Sequence, residues 1–235
     1  MSTTADAVII GGGVTGASLA FHLAKAGLRV VLLEKKYLGA GGTGKSTAIV
    51  RMHYENEPET RMAWASYQTY AHFADLVGGE CGFVRCGVLW LVDHENVENL
   101  KANVAMHQRV GANACLVSPR EVQTIEPACV TERVAGGAYE PDSGYADPLL
   151  TVFAFARRAK ELGAELRTGV AVTGVMAEAS RIRGVTTDQG EIETPVVINA
   201  AGCWAANLGR MVGLEIPIVV ERNQVALFRQ PSEIL

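Results

Sequence analysis

The turn Gly11-Gly12-Gly13-Val14-Thr15-Gly16, set directly behind the apolar run Ala7-Val8-Ile9-Ile10, constrains this chain more than any other segment. A short continuous apolar run bounded by glycines reads as a strand buried on both faces. Ala17 to Ala26 reads as a helix with Leu19 and Leu23 four apart, and Gly27 sits where a residue of positive φ ends a helix. Leu28-Arg29-Val30-Val31-Leu32-Leu33 then reads as a second buried strand, and Glu34 closes it eighteen residues after Gly16. Strand, glycine turn, helix, strand and acid make a βαβ unit on a parallel sheet.

Each part of that unit has a physical task in holding an adenine dinucleotide. Gly11 permits the tight turn, Gly13 lets the backbone approach a pyrophosphate, and Gly16 lets the helix pack close to the sheet. The helix N-terminus presents N–H groups and a positive dipole end to the phosphates. Glu34 is placed to accept from both ribose hydroxyls, and its charge repels a 2′-phosphate, which disfavours NADP.

The chain has 235 residues, 49% of them hydrophobic and 20% charged, enough apolar material for one large domain or two small ones. A net charge of −4 argues against a nucleic-acid surface. The five cysteines, Cys81, Cys86, Cys115, Cys129 and Cys203, are odd in number and form no C-x-x-C pair. No disulfide framework, no zinc site and no other metal is therefore expected, and a reducing compartment fits. The N-terminus lacks a secretory signal pattern, and no uncharged stretch is long enough to span a bilayer, so a cytoplasmic location is expected.

Further along, Thr60 to Leu76 reads as helical and Phe83 to Val92 as paired strands. A helix from about Glu95 to Val110 carries Val97, Leu100, Val104 and Val110 on one face, with Asp93 as its N-cap. Ser118-Pro119-Arg120-Glu121 is a capping box that starts a short helix. Asp147-Pro148 opens a helix through Leu162, with Leu149, Val152, Phe153, Ala156, Ala159 and Leu162 as its apolar face. Leu166–Val172 and Gly174-Val175 read as strands, and Ile182 to Gly190 as a small meander. Pro195 to Gly202 reads as a buried strand running into a second glycine turn, followed by helix from Trp204 to Met211. The chain stops just after the strand-like Gln224-Val225-Ala226-Leu227-Phe228, so it is expected to be C-terminally truncated.

One segment points to a different chemistry. Gly39-Ala40-Gly41-Gly42-Thr43-Gly44-Lys45-Ser46 matches the P-loop pattern, in which loop N–H groups cradle phosphates, the lysine reaches the terminal phosphates and the serine holds Mg²⁺. A P-loop NTPase is therefore an alternative reading. Against it, Glu34-Lys35-Lys36-Tyr37-Leu38 separates the strand from the loop, and that strand already belongs to the dinucleotide unit. A second wall of the same dinucleotide site explains the glycines more simply.

Four segments occur in one order: the N-terminal unit, Ser46-Thr47-Ala48-Ile49-Val50-Arg51-Met52-His53-Tyr54, Gly144-Tyr145-Ala146-Asp147-Pro148, and Val197-Ile198-Asn199-Ala200-Ala201-Gly202-Cys203-Trp204. Together they resemble the FAD-dependent oxidoreductases of the D-amino-acid oxidase family, and within it the sarcosine-oxidase-like members, monomeric or the β subunit of heteromeric forms. The resemblance implies an α/β, overall α+β, fold with a Rossmann-like FAD domain (1–80 and 140–213) and an antiparallel-sheet substrate domain (81–139 and 214–235, partial). It implies oxidation of the C–N bond of a small or N-methylated amino acid to an imine, with hydride passing to flavin N5. A 2-hydroxy acid or glycerol-3-phosphate type dehydrogenase is a neighbouring reading.

The resemblance also implies roles for individual residues. Gly11, Gly13, Val14, Thr15, Gly16, Glu34 and Lys35 would hold the adenosine and pyrophosphate end, with Gly42, Thr43, Ser46, Thr47 and Ile49 in the loop beside it. Val172 would meet the adenine through its backbone, and Ala201, Gly202 and Trp204 would lie near the flavin. Arg51 would hold the substrate carboxylate with its planar fork, and His53 and Tyr54 would line the same site. Ala48 stands where such members often carry an arginine against the flavin face. Ala146 stands where some carry a histidine that attaches FMN, so no covalent FMN is expected there, and the FAD is expected to be held non-covalently. The implied partners are a small-molecule amine and other subunits of a heteromeric oxidase or dehydrogenase.

Overall fold

A computed structural model describes residues 3–222, 224–226 and 229. Of the strand expected over 224–228, residues 224–226 are described and are not in a strand, and Leu227 and Phe228, like the residues from 230, lie outside the described residues. The chain divides into two compact units, residues 1–47 with 152–235 and residues 48–151. This grouping by compactness draws its borders at 47/48 and 151/152, not at 80/81 and 139/140.

The first unit is built on a parallel sheet in the order Glu165–Thr168, Val30–Glu34, Ala7–Ile10, Val197–Asn199. All four residues of Ala7–Ile10 and the first four of Val30–Glu34 are buried, because these strands lie in the middle of the sheet with both faces covered. Val8, Ile10, Val31 and Leu33 point to one face and form a core with Val185, Ile192, Val170 and Leu208. The helix Val14–Lys25 buries Gly16, Ala17, Ala20, Phe21 and Ala24, and Ile9 faces it at Gly16. Gly27 ends that helix with φ +85°, as its position implies. Val197–Asn199 is half-buried rather than buried, since it is the edge strand among the described residues.

A second sheet covers the first core. Val172–Glu178, Arg181–Thr187 and Gly190–Glu193 form an antiparallel meander, and Thr3–Thr4 pairs in parallel with its last strand. The expected strand 166–172 is two strands, Glu165–Thr168 and Val172–Glu178, parted at Gly169 with φ +72°. The helix Pro148–Glu161 carries the chain back into this unit. Its buried face is Val152, Phe155, Ala156 and Ala159, and Phe155 packs on Phe21 at 5.6 Å, whereas Phe153 is 49% exposed. The face is therefore rotated from the expected one: residues 152, 155, 156 and 159 follow the helical repeat, and Phe153 falls off it.

The second unit carries two small antiparallel sheets, Ile49–Val50 with Gly144–Tyr145 and Val84–Arg85, and Val88–Val92 with Gly136–Glu140 and Cys115–Val117. Val84–Arg85 and Val88–Val92 do not pair with each other as expected; each joins a different sheet. Helical material at 57–76 breaks at His72 into Glu57–Ala71 and Phe73–Leu76. Trp64, Tyr67 and Tyr70 pack with Phe83 and Met52, as core rather than chemistry. Asp93 caps the turn before Val97–Val110, Ser118 and Glu121 form the capping box, and Asp147 Oδ1 accepts from the Leu149 and Leu150 N–H groups.

Candidate functional site

The first unit gathers most of the residues expected to hold a dinucleotide. Gly11 has φ +118°, and a Cβ on it would lie 2.3 Å from the Ala200 carbonyl oxygen. The Ala200 N–H donates to Ile10 C=O at 2.9 Å, so the first glycine turn and the turn holding Ala201, Gly202 and Trp204 lie side by side. A Cβ on Gly16 would lie 1.9 Å from the Gly11 carbonyl oxygen; only glycine allows this helix start. Gly13 is in ordinary extended backbone, and its Cβ would meet only Thr43 Oγ1, at 3.0 Å.

Glu34 is already engaged by the backbone. Its Oε2 accepts from the Gly12 N–H and its Oε1 from the Lys36 N–H, both at 2.8 Å. These bonds fix the carboxylate at the strand end beside the turn, and each oxygen keeps a lone pair for a ribose hydroxyl. The Val170 N–H donates to the Glu34 carbonyl at 3.1 Å, which brings the start of the strand Val172–Glu178 to the same corner.

The loop 39–47 is tied to the same turn. The Gly39 N–H donates to Gly12 C=O at 2.8 Å, and Thr43 Oγ1 accepts from the Val14 N–H at 3.1 Å. Lys35 Nζ lies 4.2 Å over the Trp204 ring, and Gly41 lies against the same ring. This loop is not a P-loop. The N–H groups of Gly44, Lys45 and Ser46 donate to Gly39, Gly42 and Thr43 carbonyls, and the 3₁₀ turn Thr43–Lys45 runs into extended Ser46 instead of a helix. A phosphate cradle needs those N–H groups unspent and a helix N-terminus behind them.

The arrangement fits an adenine dinucleotide. The helix Val14–Lys25 has no acid in its first turn and no side-chain cap on Gly13, so its positive end faces the glycine turn, with Thr43 Oγ1 on the Val14 N–H. Gly42 opens on empty space. Thr15 lies in the first turn of the helix Val14–Lys25, and Ser46, Thr47 and Gly202 lie in the loops beside it, whereas Ile49 belongs to the second unit, 57% exposed.

The second unit brings Arg51, His53 and Tyr54 together around Trp90. The Arg51 guanidinium lies 4.7 Å from the Tyr54 ring and 5.1 Å from the Trp90 ring, and its Nη1 donates to the His53 carbonyl. His53 stacks on Trp90 at 4.9 Å with 18° between planes. Burial, then the positive potential of His107 and Arg51, pushes His53 down to about 4, so it is neutral at pH 7. Trp90 and His53 border an open cleft of about 610 Å³ with Asp93, Asn96, Asn99 and Asn103.

Beneath this cluster lie residues that sequence reasoning missed. Glu140 is 1% exposed and its Oε2 accepts from the Met52 N–H at 3.0 Å and from Ser143 Oγ at 2.7 Å. His107, fully buried, hydrogen-bonds the Tyr54 carbonyl through Nε2 at 2.8 Å and meets His53 edge to face at 4.7 Å. The helical repeat of Leu100, Val104 and His107 could have flagged His107 as inward-facing. Nothing local marks Glu140.

Residues 6–235 match the family described as FAD dependent oxidoreductase (DAO). Human mitochondrial dimethylglycine dehydrogenase is 32% identical over 232 residues, 98% of this chain and 27% of that protein. The sarcosine oxidase β subunit of an Arthrobacter species is 28% identical, with 91% of this chain and 55% of that protein covered. The crystal structure of L-proline dehydrogenase from P. horikoshii superposes with a TM-score of 0.87 at 32% identity, over 94% of this chain and 59% of that one. The chain thus spans about a quarter to three fifths of the length of these relatives. The glycine turn, its acid and the match over nearly the whole chain place this protein in the FAD-dependent oxidoreductase family of D-amino-acid oxidase.

Proposed function

We propose that this chain forms part of an FAD-dependent oxidoreductase that oxidises the C–N bond of a small or N-methylated amino acid. The observation that carries the cofactor reading is the Gly11–Gly16 turn with Glu34 locked to the Gly12 N–H. When bound, FAD supplies the two-electron acceptor for the hydride leaving the carbon beside nitrogen. Gly11, Gly13, Val14, Thr15, Gly16, Glu34 and Lys35, with Gly42, Thr43, Ser46, Thr47, Ile49, Val172, Ala201, Gly202 and Trp204, hold it non-covalently. The FAD domain comprises 1–80 and 140–213, and the substrate domain 81–139 with the chain from 214.

The amine class rests on the dimethylglycine, sarcosine and proline enzymes to which the chain is similar. Arg51 binds the substrate carboxylate: its two ring faces hold the guanidinium plane still, which leaves the rest of its donor edge for a bidentate partner. His53, neutral, and Tyr54 line that position. The β-subunit relative supports a heteromeric assembly. The five free thiols suit a reducing, cytoplasmic setting. Among the described residues no helix is long and apolar enough to cross a membrane.

The test is a flavin spectrum followed by a substrate screen in the full-length protein. Sarcosine, dimethylglycine, proline and glycine are offered beside lactate and glycerol 3-phosphate, reading dye reduction and oxygen uptake separately. Bleaching by an amine and not by the hydroxy compounds is expected. Arg51→Ala should raise KM for the carboxylate substrate at least about tenfold, or about 1.4 kcal/mol. Unchanged KM would remove Arg51 from the site, and a flavin reduced only by hydroxy compounds would refute the amine assignment.

A further inference from the structure

We propose that His53, His107 and Glu140 form a buried site for one transition-metal dication, with Zn²⁺ the ion best matched to two imidazoles and a carboxylate. The three side chains are 4%, 0% and 1% exposed, and their candidate ligand atoms all lie within 4.8 Å of one another. His53 Nδ1, His107 Nδ1 and Glu140 Oε1 are each buried without a hydrogen-bond partner. The site is independent of the flavin reading.

The surrounding bonds show why these three atoms need a cation. His107 Nε2 faces a carbonyl oxygen at 2.8 Å and so donates to it, which leaves Nδ1 turned toward Glu140 Oε1, 3.9 Å away. Met52 N–H and Ser143 Oγ–H both donate to the other carboxylate oxygen, which anchors Glu140 and leaves Oε1 facing inward. Three nitrogen and oxygen atoms without a hydrogen-bond partner thus converge at one buried point, an arrangement that is costly unless compensated. A dication that all three ligate compensates it. The outer partners are also those of a metal site: a backbone carbonyl on the far nitrogen of the imidazole, and donors on the far oxygen of the carboxylate.

Metal bonds of about 2.0–2.2 Å require ligand atoms roughly 3.3–3.6 Å apart, so the side chains must close inward by up to about 1 Å. A water fits the present spacing but brings no charge, and it is the rival occupant. His53 borders the open cleft, from which a water can complete four-coordination. The ligands come from the segment after Ile49–Val50, the helix Val97–Val110 and the strand Gly136–Glu140, so the ion would lock Arg51–Tyr54 to both. No metal was expected from the cysteine pattern; this donor set contains none.

The purified full-length protein, stripped with a chelator, is titrated with Zn²⁺ against a chromophoric chelator, alongside Glu140→Gln and His107→Gln. One equivalent is expected in the wild type, with affinity lower by at least about 100-fold in both variants. Circular dichroism checks the variants' folds. If either unfolds, Co²⁺ loading of the wild type decides, read beyond the flavin absorption: intense visible bands mark a four-coordinate ion. Less than one equivalent, full affinity in both folded variants, or only the weak spectrum of aqueous Co²⁺ would mean a buried water alone and would overturn the proposal.

Discussion

Gly16→Ala and Gly13→Ala, two substitutions in the same turn, should separate folding from cofactor binding. At Gly16 the new Cβ would lie 1.9 Å from the Gly11 carbonyl oxygen, where real Cβ atoms essentially never come within 3.0 Å. Helix and turn must therefore part by at least about 1.1 Å. The turn is held in place: the Gly11 N–H is bonded to Leu33 C=O at 2.8 Å, and the Ala200 carbonyl oxygen stands only 2.3 Å from where a Cβ on Gly11 would be. The helix must move instead, which disturbs the buried packing of Ala17, Ala20 and Phe21 on the sheet. Overpacking commonly costs about 1–3 kcal/mol, and with backbone on both sides about 3–5 kcal/mol is expected here. At Gly13 the backbone is already extended and the Cβ meets only a hydroxyl at 3.0 Å, so stability should stay within about 1 kcal/mol. That Cβ would nonetheless stand where the pyrophosphate approaches, lowering FAD affinity by about tenfold or more. Urea unfolding followed by circular dichroism, and flavin binding by equilibrium dialysis, measure the two effects. A Gly16→Ala protein as stable as wild type would refute the close approach. A Gly13→Ala protein that keeps full FAD affinity would refute the role given to the turn.

Three further outcomes follow from other parts of the chain. Ala48 holds φ +49°, so Ala48→Gly should stabilise the protein by about 0.5–1 kcal/mol in the same urea assay; destabilisation would mean that the methyl packs usefully. The Asp6 carboxyl is held below its ordinary 3.8, first by the side-chain bond from Arg29 and then by the Arg29 backbone N–H. Its contribution is therefore present above pH 3.8 and lost as pH falls through the lowered value, so the Tm gap between wild type and Asp6→Asn should shrink only in that acid range; a gap constant down to strong acid would contradict it. Burial pushes the Cys81 thiol up, whereas Cys86, Cys115 and Cys203 are exposed, so alkylation at pH 8 followed by peptide mapping should label Cys81 last.

The parts of the fold readable from sequence are those whose partners are near in sequence or whose environment is uniform. Ala7–Ile10 and Val30–Glu34 are central parallel strands, so their buried side chains are all apolar and no alternation had to be guessed. A helix cap needs only three or four residues, and Asp93, Ser118 and Asp147 all act as expected. Phe83 to Val92 failed as a pair because the strands that each half joins, Gly144–Tyr145 and Gly136–Glu140, come some fifty residues later. Likewise Glu140 reaches the Met52 N–H across a separation of 88 residues, and no local pattern encodes such a bond.

The loop 39–46 shows where letters cease to specify chemistry. A phosphate cradle is defined by where its N–H groups point, and that direction depends on the structure that follows. In this chain Ser46 is extended at ψ 149° and leads into the strand Ile49–Val50, so no helix stands behind the loop to aim the amides. The Gly44, Lys45 and Ser46 N–H groups close on carbonyls of the loop itself, while Gly39 and Thr43 reach back to Gly12 and Val14. The loop is thereby spent on building the first glycine turn rather than on a second nucleotide. The order of strands in sequence already argued for this outcome, since Val30–Glu34 can feed only one phosphate loop and Glu34 belongs to the other.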